Sequence, residues 1–244
     1  MDLGRGGDGR MRARPRSGAI GRALLGLGLL LALGAAAACG GGGEKTNGLE
    51  KLPAAEVGSR TLAALRSAPG VHVVGTEEDP SSDSPARYDL VMSATTTRGT
   101  IEEYGQRTQL VKISDDTYVR RGRSFYTATG DGDAADLLAD RWVRLAPADA
   151  AKYSYFTLGR LSDSLGNYLV GLTGEVRREK VDGARAVRAA APDGTAFLVA
   201  NTGPAYPLRI TVAGSSTNQV TFDGYGPPAA VTPPDSAVDL SSLG

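Results

Sequence analysis

Cys39 and His72 are the only cysteine and the only histidine among the 244 residues, and their isolation limits the chemistry the chain can do. A Ser-His-Asp site would have to use His72. That residue stands between Val71 and Val73 in a β-like run, and no Gly-x-Ser-x-Gly elbow occurs to present a serine to it. One thiol and one imidazole are too few for a zinc site, and a single cysteine has no disulfide partner within the chain. Asp131-Gly132-Asp133-Ala134-Ala135-Asp136 has the acidic alternation of a calcium loop, but Trp142 occupies the twelfth place, where an EF-hand needs Glu. Asp133 capping a short helix through Leu138 is the simpler reading. Gly43-Glu44-Lys45-Thr46 echoes a phosphate loop, with Glu44 where Gly is required and no strand before it. These residues imply no catalytic group, no metal and no cofactor, and the chain is read as something other than an enzyme.

The surroundings of Cys39 carry a different message. Arg5, Arg10, Arg12, Arg14, Arg16 and Arg22 form a basic head opposed only by Asp2 and Asp8. An uncharged run over 23–38 follows, Leu-rich at first and Ala-rich at its end. Basic head, apolar middle and small-residue exit make a secretory signal. The run falls short of the roughly 20 apolar residues that cross a bilayer comfortably. An uncleaved membrane helix is the competing reading; in either case the Arg excess holds the head in the cytoplasm and places the rest outside. The exit, Ala36-Ala37-Ala38-Cys39-Gly40, resembles the lipobox of bacterial lipoproteins, departing from it at Ala36, where Leu is usual. That resemblance implies a diacylglyceryl group on Cys39 and a chain anchored to the extracytoplasmic face of the cell membrane. Acylation also removes a lone thiol from an oxidising exterior, and two acyl chains anchor stably where one is marginal.

Cleavage before Cys39 leaves 206 residues, enough for one domain with a sizeable core. It removes 6 of 27 basic and 2 of 27 acidic residues, so 21 cations face 25 acids. A mildly acidic chain without a basic patch interleaved with aromatics is a poor partner for nucleic acid. Residues 39–48 read as the lipidated cysteine with a Gly-rich tether. Within 53–68, Val57, Thr61, Leu65 and Ala68 share one helical face, and Pro69-Gly70 ends the helix. Strand-like segments follow at 71–76, 87–97, 100–104, 107–114 and 117–120. Arg121-Gly122-Arg123 reads as a turn into a further strand over 124–129, with another at 141–145. A second helix is expected within 147–165, with Leu158, Leu161 and Leu165 on one face and Gly166 closing it. Five strands come last, at 173–181, 184–191, 195–201, 206–213 and 219–225, with Asp182-Gly183 and Asp193-Gly194 as tight turns. Residues 227–234 read as an extended Pro-rich stretch and 237–244 as a terminal tail.

Helix, antiparallel strands, helical insertion and five more strands behind an anchor resemble the LolA-like superfamily, in particular lipoproteins of the LppX/LprG type. The local echoes are Asp116-Thr117-Tyr118-Val119, Trp142-Val143-Arg144-Leu145 and Gly183-Ala184-Arg185-Ala186-Val187. Later come Tyr206-Pro207-Leu208-Arg209-Ile210 and Val220-Thr221-Phe222-Asp223-Gly224-Tyr225-Gly226. The match covers 49–236. It implies an α+β fold: a strongly curved, half-open antiparallel sheet, an incomplete barrel, with helices covering its concave face and an apolar cavity between.

Such a cavity takes acyl chains, so the resemblance implies a carrier or chaperone of a lipid, glycolipid or lipoprotein, with an envelope transporter as a further partner and a monomeric state. Alternation and helix facing nominate the cavity wall: Leu90, Met92, Val119, Phe125 and Trp142 from the first half, and Leu62, Leu65, Leu158 and Leu161 from the helices. Phe197, Val199, Leu208, Ile210 and Val212 complete it. Each of these residues equally suits an ordinary packed core. A structural or regulatory envelope lipoprotein with a filled interior, binding a protein partner, is therefore the alternative. Tyr153, Tyr155 and Phe156 read as a packed helix flank or an aromatic cluster at the cavity mouth.

Overall fold

A computed structural model describes residues 45–78, 84–215 and 217–242; the export segment and Cys39 lie outside them. Its strands are β1 (Gly70–Glu77), β2 (Ala86–Ser93), β3 (Thr96–Glu103), β4 (Gln106–Ile113), β5 (Asp116–Arg121) and β6 (Trp142–Arg144). They continue with β7 (Thr173–Val181), β8 (Ala184–Ala190), β9 (Ala196–Ala200), β10 (Pro207–Thr211), β11 (Gln219–Asp223) and β12 (Val238–Asp239). The helices are α1 (Ala54–Ser67), α2 (Arg123–Ala128), α3 (Gly132–Leu138), α4 (Pro147–Ala150) and α5 (Leu158–Val170). All twelve strands join one sheet in the order β12-β6-β5-β4-β3-β2-β1-β11-β10-β9-β8-β7. Neighbours are antiparallel except β12, which runs parallel to β6. β12 and β7 are the two edges, so the sheet is open, and the α+β class expected from the sequence is what the chain adopts. Twelve twisted strands curl rather than lie flat.

Period-two alternation sorts the two faces of the sheet. Val71 and Val73 of β1 lie opposite Met92 and Leu90 of β2, and Val73 also faces Phe222 of β11. The same layer runs through Leu110, Val119 and Val143 on one side and Ile210, Phe197, Val199 and Val187 on the other. These residues belong to one buried cluster. Its lid is α1 and α5. Val57, Thr61 and Leu65 of α1 are fully buried, with the Thr61 hydroxyl donating to the Val57 carbonyl. In α5 the buried positions are Leu158, Ser162, Gly166 and Leu169, and the Thr157 side chain caps the first turn by accepting from the Arg160 N–H.

Gly58 lets these two helices approach backbone to backbone. A Cβ on Gly58 would lie 1.8 Å from the Leu169 carbonyl oxygen, and one on Gly166 would meet Leu62 at 3.5 Å. Gly166 therefore does not close the second helix as expected. It lies inside α5, which runs on to Val170, because contact with α1 and not local propensity sets its role. Another correction concerns 87–97. The strand breaks at Ala94-Thr95, where the Ser93 hydroxyl accepts from the N–H of Thr95 and Thr96. Gly99 then sits within β3, since a Cβ there would lie 1.9 Å from the Asp89 carbonyl oxygen.

The stretch 124–129 is not a strand. It forms α2, in which the Thr127 and Thr129 hydroxyls donate to carbonyls three and four residues back and Tyr126 is buried. Phe125 meets Tyr126 edge to face at 5.4 Å. Asp133 falls in the first turn of α3 and Asp131 takes the N-cap position, without a side-chain cap bond.

The stretch after β11 crosses the sheet. Residues 224–237 connect β11 to β12, seven inter-strand steps away, or about 34 Å. Fourteen extended residues reach about 45 Å, and the Pro-rich composition keeps them extended. Pro228 passes so close to Gly70 that a Cβ there would lie 2.8 Å from it. Arg144 of β6 then binds Asp239 at 3.2 Å and Asp116 of β5 at 2.6 Å, fastening the last strand.

Gly58→Ala is expected to lower stability by about 1–3 kcal/mol through overpacking against Leu169. Gly159→Ala, in α5 with nothing within 4 Å of the added carbon, is expected to hold or raise it. Urea midpoints of the two variants check this; equal effects would show that the crossing has slack.

Candidate functional site

Gly75 of β1 faces inward with no side chain, opposite Tyr88 of β2 and Val220 of β11. A cleft of about 490 Å³ opens there, between α5 and the concave face. Its walls are Tyr88, Phe197, Ile210, Val212 and Val220 from the sheet and Leu165 and Tyr168 from α5. Thr76, Glu77, Asp193, Thr195, Asn218 and Gln219 also border it. The volume lies within the roughly 300–1,000 Å³ of ligand pockets, and an apolar wall with a polar rim suits an amphiphile. Tyr168 and Val212 are half exposed at the cleft.

Two smaller clefts continue along the same end of the sheet. One, about 240 Å³, lies among Glu77, Glu78, Tyr88, Glu103 and Tyr104. The other, about 260 Å³, is lined by Ile101, Tyr104, Thr108, Phe125 and Tyr153. A row of rings runs between the large cleft and this last one: Tyr88 to Phe156 at 5.9 Å and Phe156 to Tyr153 at 6.2 Å. The row is held down at the backbone, since the buried Thr97 hydroxyl donates to the Phe156 carbonyl at 2.6 Å. Tyr153 and Phe156 thus pack on the core, whereas Tyr155 is 70% exposed.

The structure separates the residues nominated from sequence into four groups. Phe197, Ile210 and Val212 line the large cleft, and Phe125 lines the third. Leu65, Leu90, Met92, Val119, Leu158 and Val199 are packed in the core beneath, while Leu62 and Leu161 are partly buried against it. Trp142 and Leu208 are corrections. The neighbours Val119 and Val143 take the inward positions of β5 and β6, so Trp142, opposite Arg120, points to the other face. A register shift between Pro207 and Arg209 turns Leu208 to the outer face, where it packs on Val181, Ala186 and Leu198. Sequence reasoning missed Gly75, Tyr88, Leu165, Tyr168 and Val220 as wall residues. The signal for Gly75 was there: a lone glycine inside an apolar strand marks a close approach or a space.

His72 faces away from this cleft. Its Nδ1 lies 2.7 Å from an Asp223 carboxylate oxygen and its Nε2 lies 3.0 Å from Asp89, spanning β11, β1 and β2. Burial works against the charged ring, but hydrogen bonds to Asp89 and Asp223 and the negative charge of both outweigh it, so its pKa is raised. Among the described residues no group of three or more His, Cys, Asp or Glu is placed to hold a metal ion. No helix there is long and apolar enough to cross a membrane.

An open antiparallel sheet whose concave face is covered by helices over an apolar cleft is the LolA-like fold. Among solved structures, the chain is similar to LprF from Mycobacterium bovis, with a TM-score of 0.52 at 16% identity, covering 75% of this chain and 97% of that one. It is also similar to the Mycobacterium tuberculosis lipoprotein LppX, with a TM-score of 0.45 at 17% identity, covering 73% and 97%. No protein-family model matches the chain, and no curated protein does.

A raised folded-state pKa makes the His72 contribution full below the unfolded value of about 6.5 and lost as pH rises through the folded value. Wild type is therefore expected to lose thermal stability from pH 6 to pH 9 by a margin that His72→Gln lacks. Melting curves across that window decide it, and parallel profiles would refute the coupling.

Proposed function

We propose that the chain is a membrane-anchored cell-envelope lipoprotein that takes the acyl chains of a lipid, glycolipid or lipoprotein into the cleft beside α5, and carries or chaperones that cargo. The observation that carries this reading is the cleft itself, apolar at Tyr88, Leu165, Phe197, Ile210 and Val220 and open to the outside past Tyr168 and Val212. Each methylene buried there contributes about 0.8 kcal/mol, so about ten of them bring roughly 8 kcal/mol before the costs of association. The fold shared with LprF, and the signal and lipobox pattern ending at Cys39, support the same placement in the envelope. The reading assigns the protein no covalent chemistry of its own. His72 fits this, with both ring nitrogens engaged by Asp89 and Asp223 on the face away from the cleft.

The filled core under the cleft favours the second reading, a lipoprotein that docks a protein partner. Leu65, Leu90, Val119 and Val199 are at most 1% exposed and leave no space of their own. Native mass spectrometry of the purified protein separates the two. Co-purifying acyl lipid is expected, and Gly75→Ile should cut its occupancy at least fivefold without loss of melting temperature. A Cβ there meets Tyr88 and Val220 at ordinary contact distances of 3.5 Å, and Gly75 borders the cleft, so the added side chain extends into it. Lipid-free protein, or full occupancy in the variant, would sink the carrier reading. For the anchor, incorporation of labelled palmitate is expected in wild type and absent in Cys39→Ala; labelling that survives the substitution rejects Cys39 as the acceptor.

A further inference from the structure

The Thr195 hydroxyl has no hydrogen-bond partner among the described residues, although the residue is only 5% exposed. Thr61 and Thr97, also buried, donate theirs to the carbonyls of Val57 and Phe156. Alternation puts Thr195 on the side of Phe197, and both line the large cleft. A buried hydroxyl left unpaired costs stability unless something that enters the space beside it supplies the bond.

Next to this hydroxyl stands a carboxylate with capacity to spare. Asp193 accepts from the Thr195 N–H through Oδ1 at 2.8 Å, and its Oδ2 has no partner among the described residues. Glu77, two residues beyond Gly75 and on the same inward side of β1, borders the same cleft. Neither acid forms an ion pair among the described residues. Glu78 adds a negative charge at the adjoining small cleft, where the Ser215 and Thr217 hydroxyls bond it without neutralising it. No Lys or Arg among the described residues lines the large cleft, and α5 brings only Leu165 and Tyr168 to it. Arg87 lies opposite Thr76, but Tyr88 takes the inward place on β2 and Arg87 pairs with Glu102 at 3.1 Å.

The cleft therefore joins an apolar wall to a rim of acceptors and negative charge. A phosphate or carboxylate head would meet like charge there with no cation to hold it. An ammonium head has three N–H donors and no acceptor, and Asp193 Oδ2 and the Thr195 oxygen are two free acceptors side by side. We propose that the cargo of this cleft is an amphiphile whose head carries an ammonium group and no net negative charge, seated at Asp193 and Thr195 and drawn in by Glu77. Lipids esterified with a basic amino acid belong to this class. The inference rests on the reading of the cleft as an acyl-chain site and narrows its cargo by the charge of the head. A unit charge about 7 Å away across water changes affinity about threefold at low salt, so two acids change it about tenfold.

The test is calorimetry with three single-chain probes, each below its micelle concentration: dodecylammonium, dodecyl glucoside and dodecanoate. The protein is the chain from residue 40 onward, cleared of co-purified lipid on a hydrophobic resin. It keeps every described element, the first of which begins at Leu49. At low salt dodecylammonium is expected to bind about tenfold tighter than the glucoside, and the glucoside about tenfold tighter than dodecanoate. Glu77→Gln with Asp193→Asn should bring the three affinities within about threefold of one another. The amide in place of Asp193 still accepts from the Thr195 N–H, so the turn is kept. Thr195→Val, close to the same shape, should weaken dodecylammonium about fivefold with the melting temperature held. Glu102→Gln with Asp182→Asn, acids away from the cleft, should leave the ranking as it is. Equal affinities, a ranking that survives the first double variant, or tightest binding of the glucoside each overturn the ammonium assignment and leave the cleft as an acyl-chain site. If none of the probes binds, or if Gly75→Ile weakens none of them, the cleft reading falls and this inference with it.

Discussion

Gly58 brings the backbone of α1 onto the last turn of α5 at Leu169, and most of the interior follows from that contact. An open twelve-stranded sheet has one apolar face to cover, and α1 and α5, of fourteen and thirteen residues, supply most of that cover. Packed at the usual 8–10 Å between axes, two helices would spread apart. A glycine on α1 at the crossing lets them draw together over the middle of the sheet. What the pair leaves uncovered is the strip beside Leu165 and Tyr168, and that strip is the cleft. Close packing in one place and open space in the next thus have the same cause.

Much of this fold was legible in the residues. The α1 face of Val57, Thr61 and Leu65 and the tight turns at Asp182-Gly183 and Asp193-Gly194 follow from local periodicity and turn chemistry, and the chain adopts them. The departures come where tertiary contact overrides local preference. Thr127 and Thr129 sit in a segment of strand-like composition, yet their hydroxyls satisfy helix carbonyls and Tyr126 is buried by doing so. Gly166 has the type of a helix terminator but serves as a contact point. Ser93, as a hydroxyl that accepts from two successive N–H groups, makes a turn that carries no Gly or Pro mark.

The cleft was half legible. Phe197 and Ile210 follow from alternation, but Leu208 shares their apparent parity and is turned outward by one bulge that no pattern announces. Alternation reports which face a residue takes and says nothing of whether that face is packed or hollow there. Leu90 and Phe197 are equally buried, at 1%, yet only the second borders the open space. The difference is made by a missing side chain three strands away from Phe197, at Gly75, and by the ring row Tyr88, Phe156 and Tyr153.

The strap that ends in β12 has a bearing on timing. Val238 and Asp239 form the last strand in chain order, yet they stand at the edge of the sheet beside β6. A chain that emerges from its N-terminus has every other strand in hand while the open side of β6 still lacks its neighbour. Until β12 appears, that edge offers unpaired N–H and C=O groups to any strand nearby. Pairing of β12 with β6 therefore follows the formation of every other strand, and the Arg144 clamp on Asp239 acts as its seal. The strap thus covers an edge that all the earlier strands leave open.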